Sequence, residues 1–316
     1  MNALAKRERG SYFTEACPFD GVYFAQWAKQ CSINTRIILE PFAGSNNLIH
    51  MLTERGYCND YASFDLFPQH PTIKKRNTLV NFPIGYQVCI TNPPYLAQNS
   101  AKRRGMQYPV DCPYDDLYKY ALKKCLDAVP YVGAIIPASF LNAHLFRERL
   151  AYYILLPTRM FADTEHPVCL ALFNPSMTKT KIYEGKEYLG LLQDLEKKVP
   201  QCKGETVTMR FNDRQGTLGL YAIDNTTEAS ISFVSGGEID PQVISSSSRS
   251  ITRISVDYRH SKKLINNLNE YLQVFRRETR DIFLTPFKGV RKDNRFRRRL
   301  DFALARRIIN EVCASL

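Results

Sequence analysis

The stretch Arg36-Ile37-Ile38-Leu39-Glu40-Pro41-Phe42-Ala43-Gly44, followed by a helical pattern over residues 46–55, decides how the chain begins to fold. The apolar run has the length and branched content of a buried strand, and Pro41 stops it. Ala43 and Gly44 allow a tight turn. Leu48, Met51 and Leu52 then recur on one helical face, and the pattern ends at Gly56. Strand, turn and helix in that order form the opening unit of an α/β sheet.

The same alternation continues outward. Residues 61–65 (Tyr-Ala-Ser-Phe-Asp) form a second strand candidate and residues 86–91 a third, broken at Asn92-Pro93-Pro94. Residues 115–129 predict an amphipathic helix, with Leu117, Tyr120, Ala121, Cys125 and Ala128 close to its period. Residues 132–136 and 168–173 are further buried strands, the former ended by Pro137. Such a succession predicts a mostly parallel sheet with helices on both faces, a Rossmann-like arrangement. Ligands bind such sheets beyond the carboxyl ends of the strands. Glu40, Asp65 and Asn92 all stand at strand ends.

At 316 residues the chain exceeds the usual single core. The α/β pattern weakens after Pro175, so the expected division is a catalytic domain over 1–175 and a smaller domain over 176–316. Residues 260–275 read as a helix with Leu264, Leu268, Leu272 and Phe275 on one stripe, and residues 245–248 as a serine-rich surface loop. No apolar run approaches the roughly 20 residues of a membrane helix. Residues 1–10 are charged and lack the apolar core of a signal peptide. Nine scattered cysteines without a C-x-x-C pair fit a reduced, cytoplasmic protein and argue against a disulfide scaffold or a metal site.

The net charge is +12, and residues 276–307 hold twelve Lys/Arg against four acids, a net +8. Arg276, Arg277, Arg280, Lys288, Arg291, Lys292, Arg295, Arg297, Arg298 and Arg299 are candidate DNA-binding residues, interleaved with Phe283, Phe287 and Phe296. A solvated basic tail is the alternative. Lys102, Arg103 and Arg104 form a second basic cluster, either a grip on a nucleic-acid strand or a surface loop.

Asn92-Pro93-Pro94-Tyr95 carries the chemistry. Two prolines stiffen the backbone and remove two amide hydrogens. The loop therefore aims one amide side chain outward, followed by an aromatic ring. The exocyclic amino group of adenine is a poor nucleophile, because its lone pair is delocalised into the ring. The Asn92 oxygen and the Pro93 carbonyl can take its two hydrogens and draw the nitrogen toward tetrahedral geometry. Tyr95 offers a flat surface. This is positioning with electrostatics and needs no nucleophilic side chain. Residues 40–44 suit an adenosyl cofactor: Glu40 can meet a cationic group, and Asp65 can accept from ribose hydroxyls. There is no G-x-G-x-x-G or G-K-[ST], which disfavours a dinucleotide or triphosphate.

On these residues the chain resembles the adenine-N6 DNA methyltransferases whose target-recognition domain follows the catalytic domain. The matching motifs run in order across residues 10–175. Tyr12, Phe13 and Thr14 resemble the N-terminal motif over the methionine end of S-adenosylmethionine. Glu40, Pro41, Ala43 and Gly44 resemble the first cofactor motif, Asp65 the ribose acid, and Asn77 with Thr78 the segment at the cofactor adenine. Asn92, Pro93, Pro94 and Tyr95 match the catalytic motif. Residues 116–118 and 133–137 resemble the segments after it. Phe161 matches the aromatic that stacks on a flipped base, with His166 as the alternative.

Three positions depart from the family pattern. Asn46 replaces its second glycine, Glu15 an expected proline, and Asn77 an acid. The resemblance implies S-adenosylmethionine as cofactor and double-stranded DNA as partner. A restriction endonuclease acting on the same site is one setting in which such enzymes work, and a monomer is the expected form. The same loop also occurs in enzymes that methylate RNA adenine or protein glutamine. A non-catalytic DNA-binding module is a third reading, and the intact loop argues against it.

Overall fold

The computed structural model describes residues 14–156, 160–161, 165–201, 207–258 and 262–316. Tyr12 and Phe13 lie outside the described residues. The chain divides into two compact units, Met1–Leu189 and Gly190–Leu316.

The first unit is built on strands β1 (Ile37–Glu40), β2 (Asp60–Asp65), β3 (Lys74–Lys75), β4 (Val88–Thr91), β5 (Tyr131–Pro137), β6 (Leu150–Leu155), β7 (Val168–Phe173), β8 (Lys181–Glu184) and β9 (Glu187–Leu191). They form one sheet in the order β3-β2-β1-β4-β5-β7-β6-β8-β9. β1, β2, β3, β4 and β5 pair in parallel, and β7 runs antiparallel to both β5 and β6. Every residue of β4, β6 and β7 is buried, so both faces of the sheet are covered there. This is the expected α/β class, with smaller antiparallel sheets following in the second unit.

Among the described residues, the α-helices of this unit are α1 (Val22–Gln30), α2 (Asn47–Glu54), α3 (Gln98–Arg103) and α4 (Leu117–Ala128). α1 buries Tyr23, Phe24, Trp27 and Ala28 on one face. The Trp27 ring is fully enclosed, and its Nε1 donates to Asn174 Oδ1 at 3.0 Å, so the one polar atom of the indole is matched. α4 starts at Asp116, whose side chain accepts from the Tyr118 amide and caps the helix.

The dividing line falls at 189/190 rather than at 175. The reason is pairing: β8 runs parallel to β6 with Tyr153 opposite Ile182, so the sheet continues past Pro175. Residues 150–155 form the fully buried β6, and residues 22–30 form α1, neither of which was expected as an element.

In the second unit, β10 (Met209–Phe211), β11 (Leu218–Tyr221), β12 (Ser232–Ser235) and β13 (Ile251–Val256) make an antiparallel sheet ordered β10-β13-β11-β12. Helices α5 (Leu192–Glu196), α6 (Lys262–Thr279) and α7 (Phe302–Ala314) accompany it. α6 buries Leu264, Leu268, Leu272 and Phe275, the expected stripe, against β12 and α7. Asn269 on α6 donates to the Phe233 carbonyl and accepts from its amide, both at 2.8 Å. β14 (Thr285–Val290) and β15 (Phe296–Arg299) form a separate two-stranded ribbon. Among the described residues, no helix is long and apolar enough to cross a membrane.

Candidate active site

β1 has β2 on one side and β4 on the other, so the strand order reverses between β1 and β4. That reversal opens a crevice at the carboxyl ends of the two strands. Glu40 ends β1, Thr91 ends β4, and Asn92 follows.

Glu40 is buried, at 1% exposure. Its Oε1 accepts from the Thr91 hydroxyl at 2.7 Å and from the Phe42 amide at 3.2 Å. Its Oε2 is also buried and has no hydrogen-bond partner among the described residues. Burial pushes this carboxyl up to about 8. An acceptor held this way suits a cationic group, which would complete its bonding and ionise it.

The turn after β1 is held from three sides. Gly44 and Asn46 adopt left-handed backbone, φ +55° and +68°. Asn46 thus takes up a left-handed conformation more usual for glycine, as its short amide allows. Its Oδ1 also accepts from the Ser63 hydroxyl at 2.6 Å, tying the turn to β2. Asp65 accepts from the Gly44 amide at 2.8 Å and from the Phe67 amide at 2.7 Å, one on each oxygen. Each oxygen keeps a further acceptor site for a ligand hydroxyl. The buried Thr78 donates to the Pro41 carbonyl at 2.8 Å, whereas Asn77 is exposed. Glu40, Pro41, Ala43, Gly44, Asp65 and Thr78 therefore converge on one turn. A bare buried carboxylate oxygen and a carboxylate at the next strand end fit the methionine and ribose parts of S-adenosylmethionine.

The loop after β4 is fixed by Thr14. The Asn92 Nδ2 donates to the Thr14 hydroxyl at 3.3 Å, and the Asn47 Nδ2 donates to the Thr14 carbonyl at 2.8 Å. Thr14 also forms a β-bridge with Phe161. One residue thereby joins the start of α2, the Asn92–Tyr95 loop and the aromatic segment. The Tyr95 hydroxyl is 2.7 Å from both Asn92 Oδ1 and the Ile135 carbonyl. The Tyr95 ring is 6.2 Å from that of Phe161, edge to face, and 6.4 Å from that of His166. Phe161 is buried at 2% exposure and His166 is exposed. The structure thus gathers both stacking candidates around Tyr95.

Lys102, Arg103 and Arg104 are exposed at the end of α3. α3 belongs to an excursion whose two feet meet just beyond Tyr95, through the Ala97–Asp116 bridge and the Leu117 amide on the Leu96 carbonyl at 3.0 Å. The basic cluster therefore emerges directly after the Asn92–Tyr95 loop.

The basic residues of the second unit split into two groups. Arg276 donates to both oxygens of Asp224, at 2.8 and 2.9 Å, and to Asp281. Arg291 donates to Asp224 at 2.9 Å and to Asp293. Arg298 is buried at 1% exposure, and its amide donates to Asp224. Burial pushes Asp224 up, but the Arg276 hydrogen bonds and charge outweigh it and hold the carboxyl below its ordinary value. The Arg276 and Arg291 side chains are thus taken up by Asp224 and its neighbours, and Arg298 is enclosed, where the sequence had suggested DNA contact. Arg277, Lys288 and Lys292 are exposed, and Arg280, Arg295, Arg297 and Arg299 are half-buried.

Sequence reasoning missed Thr91, Asn47, Ser63 and Asp224. Thr91 had a signal, as the residue between an apolar strand and the Asn-Pro-Pro turn. Asp224 had only the excess of arginine, which needs an interior counter-charge if any of it is buried.

No protein-family model and no curated protein matches the chain. Several solved structures are similar at low identity. A putative class I S-adenosylmethionine-dependent methyltransferase from Listeria monocytogenes is 13% identical, over 52% of this chain and 64% of that one, with a TM-score of 0.39. A type I restriction-modification methyltransferase subunit from Streptococcus thermophilus is 13% identical, over 61% of this chain and 49% of that one, with a TM-score of 0.38. The DrdV–DNA complex is 12% identical, over 59% and 29%, with a TM-score of 0.40. The chain spans less than two thirds of the length of each.

Proposed function

We propose that the chain is a DNA adenine-N6 methyltransferase that uses S-adenosylmethionine. The observation that carries this reading is the Asn92 amide, anchored through Thr14 and Tyr95 at the crevice between β1 and β4, directly after Thr91, whose hydroxyl donates to Glu40. Glu40 and Asp65 would hold the cofactor at its cationic and ribose ends. The bound cofactor supplies an electrophilic methyl group.

The chain's own residues position the acceptor. Asn92 Oδ1 and the Pro93 carbonyl take the two hydrogens of the adenine amino group, which localises the nitrogen lone pair. That pair forms the new bond to the methyl carbon as the carbon–sulfur bond breaks and its electrons stay on the sulfur, and one amino proton passes to solvent. The Tyr95 ring bears on the base, and Phe161 and His166 flank it. The base must leave the duplex to reach this loop. Arg277, Lys288 and Lys292, with the cluster at residues 102–104, supply the positive charge a DNA partner calls for.

The test is transfer of tritiated methyl from the cofactor to purified substrates. Label in DNA adenine, absent in Asn92→Ala, is the expected result. Label confined to RNA or to protein glutamine would replace the substrate while keeping the chemistry.

A further inference from the structure

The β14–β15 ribbon concentrates exposed positive charge on a regular two-stranded frame. Residues 285–299 hold seven Lys/Arg and one acid, a net +6. β15 alternates: Phe296 and Arg298 are buried, Arg297 and Arg299 are half-exposed on the other face. Arg297 lies directly opposite Phe287 and sets its guanidinium 5.4 Å above that ring. Lys288 falls at the bulge between Phe287 and Val290, next to Gly289 at φ +81°, and is exposed. A bulge re-aims a side chain out of the regular alternation.

The tip is a closed turn. The Arg291 amide donates to the Arg295 carbonyl at 2.8 Å, and the Asn294 amide to the Arg291 carbonyl at 3.0 Å. Asn294 sits in the left-handed region at φ +61°. Asp293 is neutralised by Arg291 at 2.8 Å, so the one acid of the ribbon adds no repulsion. Lys292 and Asn294 are exposed.

The base of the ribbon is fixed. Ile223 bridges to Arg299, the Asp224 amide donates to the Arg298 carbonyl at 3.0 Å, and the Leu300 amide donates to the Ala222 carbonyl at 2.9 Å. Arg291 and the Arg298 amide close on the Asp224 carboxylate from the ribbon side. The buried arginines therefore act as the footing of the ribbon, and its lysines and amide stand clear of it.

A two-stranded ribbon fits the DNA major groove, which is about 12 Å wide, whereas the deep, narrow groove of duplex RNA excludes it. Lysine pairs with guanine edges and asparagine with adenine. Resting on the DNA reading above, we propose that the β14–β15 ribbon is the sequence-reading element: it enters the major groove of duplex DNA, with Lys288, Lys292 and Asn294 at base edges and Arg299 toward the phosphates, while Arg297 is held on the ribbon by the Asp224 carbonyl at 2.6 Å.

The experiment compares full-length wild type, Lys288→Ala/Lys292→Ala/Asn294→Gly, and Lys262→Ala/Lys263→Ala. Glycine at 294 keeps the left-handed turn and removes only the amide. The control pair removes two exposed charges from α6. The readouts are the methylated motif in sequenced host DNA, the salt dependence of duplex binding, and cofactor affinity with thermal melting as the check on folding. The ribbon variant is expected to methylate a relaxed motif, to lose about tenfold or more in site preference, and to flatten the salt slope by about two if its lysines touch phosphate as well. Cofactor affinity should stay unchanged. Wild-type DNA methylation with the same motif in the ribbon variant would overturn the ribbon and leave the function standing. The same relaxation in the α6 control would overturn it as a bulk-charge effect. A wild-type chain that methylates no DNA would overturn both readings. A ribbon variant that fails to fold is replaced by Asn294→Gly alone, judged by the same motif readout.

Discussion

The Tyr95 hydroxyl stands 2.7 Å from the Asn92 side-chain oxygen and 2.7 Å from the Ile135 carbonyl. It has one hydrogen and so serves one of these acceptors at a time. When it bonds Ile135, on β5, the ring stays anchored to the sheet and an Asn92 lone pair faces the substrate. Tyr95→Phe keeps the ring and loses the anchor, so turnover should fall by about tenfold with cofactor affinity unchanged, and Tyr95→Ala should fall by about 100-fold. Steady-state kinetics alongside calorimetric cofactor binding checks both. Equal turnover in Tyr95→Phe and wild type would show that the hydroxyl has no positioning role.

Thr14 should act through Asn92. Thr14→Val keeps the backbone bridge to Phe161 and removes the acceptor 3.3 Å from the Asn92 amide nitrogen. A drop in kcat of about tenfold, restored by Thr14→Ser, is expected for loss of one orienting bond. A structural role alone would lower the melting temperature and leave kcat intact.

Phe161→Leu retains most of the buried volume and removes the aromatic face. Turnover should fall by about tenfold or more while cofactor affinity holds. Wild-type turnover in this variant, with loss in His166→Ala, would transfer the stacking role to His166.

Glu40 gives a pH dependence with a definite sign. Its carboxyl is pushed from an ordinary 4.5 up to about 8 by burial. A carboxyl held above its unfolded value binds its proton more tightly when folded. The stability from neutral Glu40 is full at the acid end and is lost as pH rises from about 4.5 toward about 8. Ligand-free Glu40→Gln should therefore lose less stability than wild type across that range. Cofactor binding near neutral pH should release up to about one proton, measured by calorimetry in buffers of different ionisation heat, and Glu40→Gln should abolish that release.

Asp224→Asn should destabilise the second unit by about 3–5 kcal/mol, because Arg276 and Arg291 would lose a buried counter-charge. The carboxyl sits below its ordinary 3.8, so its contribution is complete above that value and disappears as pH falls through the lower folded-state value. Chemical denaturation with a probe in the second unit reads both effects. An unchanged midpoint would mean the arginines are satisfied without Asp224.

The first unit was legible where local pattern and chemistry coincide. Residues 36–56 carry their strand, turn and helix in order, and Asn92-Pro93-Pro94-Tyr95 names its own loop. Thr14 was legible as a motif residue, but its role as a junction was not. Its contacts with Asn47, Asn92 and Phe161 span long sequence distances that only the sheet order creates. β6 was missed because its apolar run, residues 150–155, follows Arg147-Glu148-Arg149 with no turn residue to open it, whereas Pro167 opens the run at residues 168–173. The second unit misled for an electrostatic reason. Composition counts charges without their partners, and Asp224 takes up the side chains of Arg276 and Arg291.

Asn269 on α6 bonds both the amide and the carbonyl of Phe233, and β12 is the last strand of its sheet. Its side chain does there what a neighbouring strand would do. An open sheet edge is a template for aggregation. A foreign strand arriving at β12 meets a pair of groups already taken, so this edge is guarded by a single amide.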